Sequence, residues 1–179
     1  MQTTVKYDSY PWWIVLVSTV HAVAIYALGA IILSSLTVWL VVPYLMLCLW
    51  LEVQVLRKSC RNCYYYGKTC GLGKGRLCAL LFTAGDPQRF VDRKITWTDM
   101  LPDLLVVLLP VVGGIVSLIL RFSWLYLILL AALLALSFAG NALIRGSLVC
   151  KHCVQAELGC PALGLLGGGT RGEGGTDAG

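Results

Sequence analysis

The chain has 179 residues, 58% of them hydrophobic and only 13% charged, with a mean hydropathy of +0.79. About a quarter of a soluble domain is charged, so this composition excludes an ordinary soluble domain and reads as an integral membrane protein. The net charge of +5 lies beside apolar runs and accompanies no recognisable nucleic-acid-binding module. It reads as attraction to the anionic headgroups of the lipid bilayer, and no nucleic acid is expected as a partner.

In chain order, residues 1–10 form a polar segment with a single lysine. The apolar run behind it is too long for the core of a signal peptide, so the first helix is expected to be retained. Two apolar blocks follow, 11–56 and 101–144. A crossing takes about 20 apolar helical residues, so each block spans twice. The predicted helices are 12–33, 36–56, 102–120 and 122–144, with turns at Ser34-Ser35 and at Arg121 to Ser123. Run length and the lack of alternation exclude barrel strands. The expected fold is therefore an all-α, four-helix membrane bundle of two tandem hairpins.

Within the first hairpin, Trp12 and Trp13 suit an interfacial anchor. His21, near Ser18 and Thr19, reads first as a neutral imidazole bonded to a neighbouring helix and second as a ligand or proton-relay group. Pro43 is expected to kink the second helix, and Cys48 to be a small buried hydrophobe. Glu52 is expected to snorkel to the interface and pair with Arg57 or Lys58.

Residues 79–100 are not membrane-spanning. Asp86 and Pro87 look like the cap and first position of a short helix. Phe90, Val91 and Ile95 on one side of it, with Arg89, Arg93 and Lys94 around the rest, predict an interfacial amphipathic linker. Asp99 is expected to cap the third span, and Asp103 to sit favourably at its positive end. Pro110 and Gly113-Gly114 point to close helix packing, and Asn141 to a bond between helices. Residues 164–179, half glycine, read as a disordered tail.

Lys and Arg placement sets the orientation. Residues 57–100 hold nine basic side chains against three acidic ones, and the two hairpin turns hold Arg121 alone. Both termini and the central loop are therefore expected in the cytoplasm, where stable disulfides are rare.

The cysteines carry the strongest pattern. Cys60, Cys63 and Cys70 recur as Cys150, Cys153 and Cys160, each shifted by 90 residues, in the form C-[RK]-[NH]-C-x6-C. Each unit is a hairpin followed by this motif: 11–78 is the first repeat and 101–163 the second. Parallel repeats of this kind are related by an axis along the membrane normal, which predicts both motifs on one face. Cys60, Cys63, Cys150 and Cys153 offer the four thiolates of a structural zinc site. Cys70, Cys160 and Cys78 add further thiolates, a number that favours an iron–sulfur centre, and His152 is a further candidate ligand. Gly71, Gly73 and Gly75 leave backbone N–H groups free to approach sulfur. A C-x2-C redox pair is the third reading, with Arg61 and Lys151 lowering thiolate pKa, but the βαβ context of such pairs is missing.

The quinone-linked disulfide-forming membrane oxidases also pair four helices with cysteines, but theirs face the oxidising side. The Asp-His-His-Cys signature of membrane palmitoyltransferases is absent. No Walker loop, HExxH or GxSxG is present, and GLGKG at 71–75 lacks the ending of a phosphate loop. The functional expectation is a cysteine metal site serving membrane-linked electron transfer, with a cytosolic redox protein or other membrane subunits as partners. The alternatives are a non-enzymatic subunit with structural zinc, and thiol–disulfide exchange.

Overall fold

In a computed structural model the protein is helical throughout, and no strand occurs among the described residues. The structure describes residues 5–93 and 96–161, with 97 and 98 described through their backbone. The expected tail, and Lys94 and Ile95 of the linker, lie outside that set.

Four segments are long and apolar enough to cross a membrane: Trp12–Ser34, Val38–Asn62, Asp99–Leu120 and Trp124–His152. α1 is Trp12–Ser34 and α2 is Val41–Lys58, entered through a 3₁₀ turn at Val38–Leu40. Two short helices follow, α3 at Lys74–Leu81 and α4 at Gln88–Val91. α5 is Trp97–Leu120, and α6 is Trp124–Ala135. Beyond Ala135 the fourth span continues in wider π winding through Leu136–Gly140 and Ala142–Val149. α7, Val154–Glu157, closes the described chain apart from the residues just after it.

α1 packs on α2, α5 and α6, while α5 packs on α2 and α6. The bundle thus runs α1, α2, α5, α6 around its perimeter, with α1 and α5 meeting across the middle. Small residues permit that contact. A Cβ on Gly113 would lie 2.8 Å from Leu33, and one on Gly114 3.1 Å from Leu130 and 3.2 Å from Ile32, so the glycine pair serves packing. Pro110 cannot donate to the carbonyl four residues before it. That carbonyl, Val106 O, takes the Tyr44 hydroxyl at 3.3 Å instead. Cys48 is buried in the same cluster, with Leu33 and Leu51.

Several boundaries differ from the sequence reading. α5 starts five residues before Pro102, because Thr96 and Asp99 form a capping box, with Asp99 at the third helical position and not at the cap itself. The fourth span runs past Ile144, because Val149 is buried in a cluster with Tyr10 and Tyr65 and its carbonyl accepts the Tyr10 hydroxyl at 2.7 Å. Pro43 falls in the first turn of α2, where a missing N–H costs little, so it does not break the helix. Asp86 caps α4 through the Gln88 N–H at 2.9 Å, but α4 is a single turn. Exposed apolar side chains in this region come from both short helices, Leu77, Leu80 and Leu81 of α3 and Val91 of α4.

Candidate functional site at the cysteine cap

The two C-x2-C segments fold alike. Where α2 ends, Cys60–Asn62 forms a 3₁₀ turn and the Cys63 N–H returns to Cys60 O at 3.3 Å. Where the fourth span ends, Cys150–His152 does the same, and the Cys153 N–H returns to Cys150 O at 3.3 Å. The chain is extended at both Cys63 and Cys153. Tyr66 N–H then donates to Cys63 O, as Ala156 N–H does to Cys153 O.

A tyrosine core joins the two turns. Tyr65 is 3% exposed; its hydroxyl donates to Tyr7 O at 2.6 Å and accepts the Val154 N–H at 3.0 Å. Gln155, also buried, accepts the Tyr64 N–H at 2.8 Å. Tyr7 N–H donates to His152 O at 3.1 Å, and Tyr10 N–H to Thr69 O at 2.9 Å. The N-terminal segment, the first motif and the second motif are thus one hydrogen-bonded unit at one end of the bundle. Cys63, Cys70 and Cys153 pack against the same cluster, built on Tyr10, Ile14, Tyr65 and Val149. The Gly-rich loop fits because it is small: a Cβ on Gly71 would lie 2.8 Å from Val149.

All eight cysteines are free thiols. Cys63 is pushed up to about 11, first by burial and further by Cys153, Cys70 and Cys160, against a backbone N–H at Tyr65 that favours the thiolate. Cys153 is raised for the same first reason, with the Ala156 and Gln155 N–H groups opposing. Cys70 Sγ accepts the Lys74 N–H at 3.2 Å. Cys60 lies within electrostatic reach of Cys70, Cys78 and Cys63, and Cys150 within reach of Cys153 and Cys160. Among the described residues, however, no three His, Cys, Asp or Glu side chains stand grouped as metal ligands. Cys78 is fully buried and its thiol donates to Leu56 O at 3.4 Å. His152 Nδ1 faces Val5 O at 2.7 Å. A carbonyl only accepts, so Nδ1 carries the proton and Nε2 is the nitrogen able to ligate.

The polar residues inside the bundle behave differently from their sequence reading. Glu52 does not pair with Arg57 or Lys58. It pairs with Lys74, the first residue of α3, and accepts the Tyr26 hydroxyl at 2.7 Å. Lys58 turns instead to Asp99 at 3.3 Å. Asn141 bonds within its own helix, to Ser137 O at 3.2 Å, since the four-residue spacing brings that carbonyl nearest. Sequence reasoning missed Tyr10, Tyr65 and Gln155, the residues that join the two turns. The run Tyr64-Tyr65-Tyr66 was a visible signal for Tyr65, while Tyr10 and Gln155 had none.

No protein-family model matches the chain, and no curated protein and no solved structure matches it either.

Proposed function

We propose that the chain is an integral membrane protein carrying a soft-metal centre at a cytoplasmic cap, held by thiolates from both C-x2-C turns. In this reading the centre passes electrons between a cytosolic redox protein and an acceptor in the membrane. The observation that carries it is the docking of two like-folded cysteine turns on Tyr65, within hydrogen-bond reach of each other's backbone. Backbone N–H groups directed at Cys63, Cys70 and Cys153 suit thiolate ligands. His152, with Nδ1 held by a carbonyl, has the outer-shell bond of a metal-ligating histidine.

The tandem-repeat reading is supported by the helix neighbours. Exchanging α1 with α5 and α2 with α6 leaves the order around the bundle unchanged. Orientation rests on the nine basic residues of the central loop. Thiol–disulfide exchange is disfavoured, because it needs depressed thiol pKa values and Cys63 is raised to about 11. A bound cation reverses that penalty, since it compensates a buried thiolate for its lost hydration and for the repulsion of its neighbours.

Structural zinc is the second reading, favoured by the density of bonds tying the cap together. Metal and acid-labile sulfide analysis of anaerobically purified protein separates the two. Iron with sulfide and a visible charge-transfer band is the result expected for electron transfer. Stoichiometric zinc without colour assigns the centre to structure. Free thiols with neither metal overturn the proposal. Labelling of Cys150 or Cys153 only from the outer side of sealed vesicles overturns the orientation.

A further inference from the structure

Between the first cysteine motif and α4, the chain enters and leaves the bundle on the same side. It comes in at the level of Tyr10, just before α1, where Thr69 O accepts the Tyr10 N–H at 2.9 Å. Four residues later it lies deeper. A Cβ on Gly73 would be 3.0 Å from Val15 and 3.3 Å from the Thr19 hydroxyl. Those residues are three and seven positions past Trp12, roughly 4–11 Å along α1 at 1.5 Å per residue. Lys74, the next residue, pairs with Glu52. Glu52 stands six residues before the end of α2, roughly 9 Å below it.

α3 then climbs back out. The Cys78 thiol donates to Leu56 O at 3.4 Å, two residues before the end of α2, and the Gly85 N–H reaches Arg61 O at 2.9 Å, three residues past it. Eight helical residues rise roughly 12 Å, which matches the climb from Glu52 to beyond Lys58. Gly73 makes the reversal: its φ is +75°, a left-handed conformation that glycine adopts without strain. Irregular backbone at membrane depth is tolerated only where protein buries it and its polar groups are paired. The turn meets that condition. Gly71 lies against Val149 and Tyr10, the Gly73 N–H donates to Cys70 O at 2.9 Å, and the Lys74 N–H to Cys70 Sγ at 3.2 Å.

The outer face of α3 is apolar. Leu77 is 47%, Leu80 83% and Leu81 59% exposed, and their spacing puts them on one side of the helix. Gly75 and Cys78 are buried on the other side. The leucine side looks into the membrane zone and not toward the cytosol. Leu77 lines an internal cavity together with Ala22, Val23 and Val107. Each of those three is ten or eleven residues into α1 or α5, roughly 15 Å from the helix start. A soluble partner cannot reach a face at that depth. Arg76, exposed beside the leucines, has a stem long enough to carry its guanidinium up to the headgroups.

We propose that residues 71–81 form a re-entrant segment, with Leu77, Leu80 and Leu81 of α3 seated at the acyl-chain boundary of the lipid leaflet on the cap side. Its occupant is lipid hydrocarbon, and three leucines beside one cation suit that boundary. The seat fixes the first cysteine motif at the membrane surface. It needs no metal at the cap and is the same for either orientation of the chain.

The test places a spin-labelled ketone amino acid at the position of Leu77, Leu80 or Leu81 in the full chain in nanodiscs, leaving every cysteine native. These side chains are exposed, so the label displaces no packing. Power saturation against oxygen, which partitions into lipid, and against a water-soluble nickel chelate reads the depth of each label. Labels at Leu80 and Leu81 are expected about 5–10 Å below the phosphates. A label at Leu49, exposed on α2, gives the lipid reference, and one at Arg89, exposed on α4, the water reference. Nickel contact at Leu80 or Leu81 equal to that at Arg89 overturns the proposal, since it puts α3 in water. Contact with neither reagent overturns it as well, since a protein surface and not lipid then covers the leucines.

Discussion

Tyr65 is the residue on which the cap should fail first. Tyr65→Phe keeps the ring and removes one oxygen. That oxygen serves two partners in different segments, Tyr7 O at 2.6 Å and the Val154 N–H at 3.0 Å. Both are left unsatisfied beside a side chain that is 3% exposed. An unsatisfied buried group costs about 1–3 kcal/mol, so losing both bonds should weaken docking of the N-terminal segment and second motif onto the first by about 2–6 kcal/mol. That is at least roughly 30-fold in the docking equilibrium. Amide hydrogen exchange on peptides covering residues 5–10 and 153–157 reads it directly. Protection should fall together in both peptides, while α1 and α5 keep theirs. Unchanged protection, or loss confined to residues 64–66, would refute the view that one hydroxyl joins the two cysteine turns.

Gly140→Val should destabilise the bundle by about 1–3 kcal/mol in SDS unfolding, because the new side chain meets the His21 ring; His21→Ala in the same chain should recover most of the loss. Glu52→Gln should cost about 1–3 kcal/mol by leaving Lys74 without its carboxylate, and a double-mutant cycle with Lys74→Met should show the two effects to be strongly non-additive. In metal-free protein, Cys63 should alkylate at pH 8 roughly 100-fold more slowly than an ordinary thiol, since its pKa is raised from 9.0 to about 11. The fold favours the neutral thiol, so this contribution to stability is full below pH 9 and is lost as pH rises through 11. The alkylation rate should still be climbing at pH 10, and a plateau near pH 9 would contradict the burial argument.

The sequence by itself determined the four helices, their approximate ends and the places where chemistry gathers. Helix formation across a membrane depends on long apolar runs, and 11–56 and 101–144 are unmistakable as such. Cysteine spacing is equally local, so the two C-x2-C turns and their like 3₁₀ form follow from residues close in the chain. Asp86 capped its helix for the same reason.

Partnerships across the chain were decided by the tertiary structure alone. Arg57 and Lys58 lie nearer to Glu52 in sequence, yet Lys74 reaches it because the Gly-rich loop folds back over the ends of α1 and α2. Asn141 bonded along its own helix, to the carbonyl four residues back. Tyr10, Tyr65 and Gln155 carry no motif; their importance arises where three distant segments meet and each buried backbone group needs a partner. Ser18, His21 and Ser137 belong to that class too. Each alone is an unremarkable polar residue in an apolar helix, and only the packing of α1 on the fourth span seals their polar atoms at a helix contact.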